Sequence, residues 1–218
     1  MWRLDVGATA DTQLPFSGLK NPRDVAVDAK GDVYVTDSSN DRVLWLPKDA
    51  PAAATLPFSG LNDPRGIIVS PEGDVYVVDR GNDRVLFLAA GATTASTLPF
   101  TGLNDPRGVA IDAAGGVVVT DTGNNRVMEL ADGSTVATQL PFTGVNDPHG
   151  VAVDANGNVY VTDRGNAEIV ELKPGATAAM PLPFTGLNDP QGVAVDGTGN
   201  VYVTDVGPDP VVKLTVGQ

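Results

Sequence analysis

Apolar residues in this chain come in short β-branched runs separated by Gly, Asn, Asp and Pro, and no segment holds the spacing of an amphipathic helix. The stretch from Gly108 to Phe142 shows the pattern. Gly108-Val-Ala-Ile-Asp112 and Val117-Val-Val-Thr-Asp121 read as two strands, A and B, joined by the glycine-bearing hairpin Ala113-Ala-Gly-Gly116. Thr122-Gly-Asn-Asn125 supplies turn residues that tolerate left-handed backbone, and Arg126-Val-Met-Glu-Leu130 reads as strand C. A second hairpin leads to Thr138-Gln-Leu-Pro-Phe142, strand D, whose proline cannot donate a ladder hydrogen bond and therefore fits only a sheet edge.

The same pattern returns at a fixed interval. Leu-Pro-Phe begins at Leu14, Leu56, Leu98, Leu140 and Leu182, each 42 residues after the last, and the edge proline recurs as Pro15, Pro57, Pro99, Pro141 and Pro183. Four antiparallel strands per unit at this period predict an all-β fold, a β-propeller of five four-stranded blades in which each unit buries its apolar face against its neighbours. The whole chain, residues 1–218, then forms one domain. The last copy runs out after strand C, Pro210 to Leu214, whereas the N-terminus carries a spare strand D, Thr12 to Phe16. The expected closure pairs these two, so that the first strand completes the last blade of a monomer. Met1 to Ala8 then duplicates Val211 to Gln218, with Trp2 falling on Leu44 and Leu4 on Leu46, a surplus that reads as the mark of excision or engineering. An open ring that dimerises or swaps strands is the alternative.

Composition narrows the partners. A formal charge of −13 argues against nonspecific nucleic-acid binding, which needs a basic face to release counterions. With no cysteine there are neither disulfides nor thiolate metal sites. No apolar signal-peptide core and no 18-residue apolar run is present, so no membrane contact is expected of this chain.

Beyond the architecture, Gly150 to Asp154, Val159 to Asp163 and Asn124 to Val127 match the pattern of the NHL repeat, which this chain resembles over nearly its whole length. The linking Leu98 to Pro106, Leu-Pro-Phe-Thr-Gly-Leu-Asn-Asp-Pro, is similar to the extracellular sensor propeller of actinobacterial receptor Ser/Thr kinases of the protein kinase D type. That resemblance implies six blades in the family members, a binding role and an extracellular location.

Candidate chemistry lies where the D-to-A loops lead to the central channel. Each loop ends in Pro and one variable residue: Arg23, Arg65, Arg107, His149 and Gln191. Arginines converging on a channel mouth in an acidic protein focus a field for a carboxylate or phosphate. The competing reading pairs each arginine with a loop acid such as Asp63 or Asp105. Asp37 with Arg42, Asp79 with Arg84 and Asp121 with Arg126 recur as a structural pair across the B-to-C turn, while Asp163 and Asp205, facing Glu168 and Pro210, lose that partner and are left freer to act. Asp79-Arg-Gly-Asn-Asp83 lacks the ligand alternation of an EF-hand, so no metal is assigned. On strand C, Trp45 and Phe87 take a position held elsewhere by Glu129, Glu171 and Lys213, which marks them as partly exposed and a candidate protein contact.

Metal-dependent propeller lyases and hydrolases need several ligands at the channel, and this chain has one histidine with no evident nucleophile beside it. The sequence therefore reads as a non-catalytic binding propeller without cofactors, its partner a small anionic ligand or a protein. A truncated or engineered scaffold with no ligand of its own is the second reading, and an enzyme the third.

Overall fold

The computed structural model describes residues 1–3, 9–207 and 211–215. Its first complete blade runs β3 (Pro22–Val27), β4 (Val33–Asp37), β5 (Arg42–Leu46) and β6 (Ala54–Thr55). The second is β7 (Pro64–Val69), β8 (Val75–Asp79), β9 (Arg84–Leu88) and β10 (Ser96–Thr97), and the third β11 (Pro106–Ile111), β12 (Val117–Asp121), β13 (Arg126–Leu130) and β14 (Thr138–Gln139). The fourth is β15 (Pro148–Val153), β16 (Val159–Asp163), β17 (Glu168–Leu172) and β18 (Met180–Pro181). The fifth contributes β19 (Pro190–Val195), β20 (Val201–Asp205) and β21 (Val211–Leu214). Within each blade neighbouring strands pair antiparallel in sequence order, which makes the molecule a five-bladed all-β propeller. Strand D is shorter than predicted, two residues per blade, because the ladder stops at or just before the proline.

The predicted closure is not the one the chain adopts. Thr12–Gln13 (β2) pairs with Trp2–Arg3 (β1), not with β21, so among the described residues the fifth sheet has three strands. The register explains why. Trp2 faces Gln13 as Leu44 faces Thr55, and the Leu14 amide donates to the Met1 carbonyl as the Leu56 amide donates to that of Val43. β1 and β2 are thus the outer half of a blade one period before the first, and β2 keeps the partner that every other strand D has. Met1, Leu14 and Phe16 cover Val33, Val35 and Leu46 as the preceding blade would. Leu4 to Ala8, Pro210 and Val216 to Gln218, on which part of the duplication and closure rested, lie outside the described residues.

The core lies between blades. Each cluster joins the flank of one sheet to the face of the next, as Tyr34 and Val43 of the first blade pack with Val75, Val77, Leu86 and Leu88 of the second. Hydrogen bonds fix this stacking. The buried hydroxyls of Thr36, Thr120 and Thr162 donate to the carbonyls of Arg65, His149 and Gln191 in the following blade, at 2.7, 2.6 and 3.2 Å. Glycine permits the approach: a Cβ at Gly108 would collide with the His149 carbonyl, and one at Gly66 with that of Arg107.

Each B-to-C turn is one 3-10 turn ended by a left-handed residue: Asp41, Asp83, Asn125 and Ala167 in the first four blades, with φ between 48° and 54°. The first three also accept the amide of the next loop, at Asp63, Asp105 and Asp147. Ala167 has no side chain to do so and occupies a conformation that disfavours a Cβ. Ala167→Asn should stabilise the protein by about 1 kcal/mol, seen as a rise of about 2–4 °C in the melting temperature. An unchanged or lower melting temperature would show that the turn carries no strain.

Candidate functional site

Arg23, Arg65, Arg107, His149 and Gln191 meet at the channel mouth, where with Asp24 and the inner-strand glycines they line a cavity of about 390 Å³. Each is the second residue of an inner strand, after a proline that ends the D-to-A loop. In the first four of these loops the residue before the proline is left-handed, Asn21, Asp63, Asp105 and Asp147, which turns the chain sharply into the channel wall.

The charges do not sit alike. Arg65 binds the Asp63 carboxylate at 3.0 Å and Arg107 that of Asp105 at 2.9 Å, as the pairing alternative expected. Arg80, on the 3-10 turn of the second blade, clamps Asp63 and Asp105 together across the blade boundary, and Arg164 does the same for Asp147 and Asp189. These clamps were not read from the sequence, although Asp-Arg-Gly-Asn at Asp79 and again at Asp163 was the available signal. Arg23 follows Asn21 where Arg65 and Arg107 follow aspartates, and among the described residues no carboxylate pairs with it. It adds positive potential to its neighbour: the Arg65 pKa is lowered first by burial, against the pull of Asp63, and then by Arg23 and Arg80.

His149 is buried, its side chain 7% exposed. The Gln191 amide nitrogen donates to Asp189 at 2.8 Å, which turns its carbonyl oxygen toward His149 Nδ1 at 3.0 Å. Nδ1 then carries the proton, and neutral Nε2 is an acceptor with no hydrogen-bond partner, 3.4 Å from the Asp147 carboxylate. Burial, then the Arg107 charge, holds the imidazole below its usual pKa against Gln191 and Asp147, so it is neutral at pH 7.

Asp24 is the residue the sequence reading missed. It stands where the other blades carry Gly66, Gly108, Gly150 and Gly192, and that substitution was the legible sign. Although the residue as a whole is exposed, its carboxylate turns onto the next blade and accepts the Ile67 amide at 2.9 Å. Desolvation there, opposed by the Ile67 and Val25 amides, pushes it up to about 6.

The remaining candidates resolve structurally. Asp37, Asp79 and Asp121, wholly buried, bind Arg42, Arg84 and Arg126 at 2.7, 2.6 and 2.6 Å. Asp163 and Asp205 are not freed by losing that partner. Asp163 accepts the Asn146 amide and the Asn166 side chain, and Asp205 accepts the amides of Asn188 and Asp189. Burial raises Asp163 and Glu168, and the Asp163 charge lifts Glu168 further. Trp45 and Phe87 are half-buried; the Trp45 indole donates to Asp32 at 3.1 Å, and Phe87 packs on Tyr76 with ring centroids 5.0 Å apart. Among the described residues no group of three or more His, Cys, Asp or Glu side chains is placed to hold a metal ion, and no helix is long and apolar enough to cross a membrane.

The NHL repeat family matches residues 19–46, 61–86, 103–128, 145–172 and 187–208, one match per blade. This chain belongs to the NHL-repeat family. No curated protein matches it. Among solved structures, this NHL propeller superposes on a chain of a nidogen–laminin complex with a TM-score of 0.79 at 25% identity, over 90% of this chain and 76% of the other. Virginiamycin B lyase from Staphylococcus aureus gives 0.79 at 14% identity, over 95% and 70%, and a streptogramin B lyase structure 0.77 at 15%, over 98% and 74%. These likenesses correct the expectation that the chain is not an enzyme. Lyases are built on the same propeller, so the fold is compatible with catalysis or with binding, and at such identities it shows no more than that.

Because a carboxyl raised in the folded state holds its proton more tightly there than in the unfolded chain, Asp24 contributes most to stability at low pH. That contribution is lost as the pH climbs from about 4 to about 6. Asp24→Asn keeps an acceptor for the Ile67 amide without the charge. Thermal melts from pH 4 to 8 should show the variant more stable than the parent at pH 7.5, with a flatter profile between pH 4 and 6; a less stable variant at pH 7.5 would refute the assignment.

Proposed function

We propose that this NHL propeller is a binding module whose channel mouth takes a small anion or the anionic group of a larger ligand. The observation that carries this reading is the shared cavity of Arg23, which among the described residues has no carboxylate partner, and His149, buried with no hydrogen-bond partner on Nε2. Neutral Nε2 is an acceptor and does not bond an anion; once protonated it becomes a donor to one, which ties anion binding to low pH. The remaining guanidiniums, in ion pairs with their loop acids, set the shape of the mouth and supply little net field. The resemblance of the linking segments to receptor-kinase sensor propellers agrees with a sensing role and an extracellular setting. The nidogen–laminin complex supports the same class of role, since a chain with this fold there belongs to a protein assembly. The channel is preferred to the Trp45 and Phe87 flank, where both aromatics already have intramolecular partners.

Sulfate, which keeps its charge across the range, is the probe. Calorimetric titration should show weak, salt-sensitive binding that strengthens as the pH falls below about 6, because protonation removes the Asp24 charge and adds one on His149. Arg23→Gln should weaken binding about tenfold, the loss of one charge-assisted hydrogen bond. His149→Gln and Asp24→Asn should each remove part of the pH dependence. Equal binding by the parent and Arg23→Gln would set the anion site aside.

A further inference from the structure

Two groups at the channel mouth keep bonding capacity that the protein itself does not use. Arg65 and Arg107 each commit Nε and Nη2 to a loop aspartate, and both ends of the Gln191 amide are taken, by Asp189 and by His149. Arg23 has no carboxylate partner among the described residues. Asp24, the next residue, accepts the Val25 amide on one oxygen at 2.8 Å and the Ile67 amide on the other at 2.9 Å. A carboxylate offers about four acceptor positions, so each oxygen keeps one free of those two amides. A bulge brings the two side chains to the same place. Between Pro22 and Val25 the inner strand carries one residue more than the stretch of β4 it faces, so Arg23 and Asp24 need not alternate across the sheet, and both line the cavity. The same bulge recurs in the next three blades, but its second residue there is Gly66, Gly108 or Gly150. The first blade thus sets a charged donor beside an acceptor where the others offer one side chain.

For a bare anion this arrangement is poor, since ionised Asp24 repels what Arg23 attracts. An apolar carboxylate fares no better: among the described residues no aliphatic or aromatic side chain lines the cavity, so its hydrocarbon part gains nothing by entering. A ligand that carries hydroxyl donors next to its anionic group satisfies both residues at once. We propose that the mouth recognises a hydroxylated carboxylate of the sugar-acid class, its carboxylate on Arg23 and its hydroxyls donating to Asp24. Such a ligand presupposes the anion site and narrows it to one chemistry, which a free sugar acid and the end of an acidic polysaccharide share.

NMR titrations of the full chain at pH 7.5, where Asp24 is ionised, read both the affinity and the shift of the Ile67 amide that Asp24 accepts. D-galacturonate or D-gluconate should bind about tenfold more tightly than acetate, which lacks the hydroxyls, and than D-glucose, which lacks the carboxylate. The sugar acid should also move the Ile67 amide further than acetate does. Asp24→Asn should weaken the sugar acid about threefold while leaving acetate and sulfate as tight or tighter, because it removes a charged acceptor and a repulsive charge together. Digalacturonate binding more tightly than galacturonate places the ligand at the end of a polysaccharide, and equal or weaker binding makes it a free acid. Both sugar acids binding no more tightly than acetate, or gaining from Asp24→Asn as acetate does, would overturn the sugar-acid assignment while sulfate still responds to Arg23→Gln. Loss of that sulfate response as well would instead overturn the anion site beneath it.

Discussion

Close stacking of neighbouring inner strands is the constraint on which the rest of this structure depends, and at three of the four described blade boundaries a strand B threonine hydroxyl holds it by donating to a carbonyl of the next blade's inner strand. It requires two sheets to approach within hydrogen-bond distance near the channel; Gly108 and Gly150 allow that approach in the third and fourth blades, and in the first Asp24 takes the position with its carboxylate on the Ile67 amide. Once the inner strands are fixed, the outer strands fan apart and the wedge between them is filled by Val, Leu and Tyr. The second blade shows that the apolar part can suffice at a single boundary, since Val78 replaces the threonine and is itself fully buried. The same spacing draws the residues after the loop prolines into one ring, so the channel mouth is a by-product of how blades stack.

Much of this was legible. A 42-residue period, an edge proline in every copy and the alternation of apolar runs with glycine turns are local statements about backbone and burial, and strand order follows from them. The buried Asp–Arg tie of the B-to-C turn was legible for the same reason: it repeats at constant spacing in three blades. The closure was not, because it rests on a competition between two equivalent partners. Thr12 and Gln13 could pair with strand C of the last copy or with the residues just before them, and sequence similarity makes the two indistinguishable. The local partner prevails because a short loop costs less entropy to close than a ring of five blades.

The channel mouth divides the same way. That Arg23, Arg65, Arg107, His149 and Gln191 share one cavity follows from their common place in the repeat. That Arg23 stands apart while Arg65 and Arg107 are held by their loop acids depends on one neighbour, Asn21 in place of an aspartate. Asp24 depends on one departure from glycine and on how its carboxylate turns onto the next blade. Function in a repeat protein sits in such departures, and reading them requires knowing which contact the ordinary residue makes.

The central claim, that strand D at the N-terminus pairs with its own strand C and not with that of the fifth blade, can be tested by cross-linking, since the chain has no cysteine. Trp2→Cys with Gln13→Cys places two thiols at directly opposed positions of β1 and β2. Gln13→Cys with Val212→Cys places them as a closed five-blade ring would. Under mild oxidation the first pair should form an intramolecular disulfide and the second should not. Efficient cross-linking of Gln13→Cys with Val212→Cys, and none of Trp2→Cys with Gln13→Cys, would contradict the account.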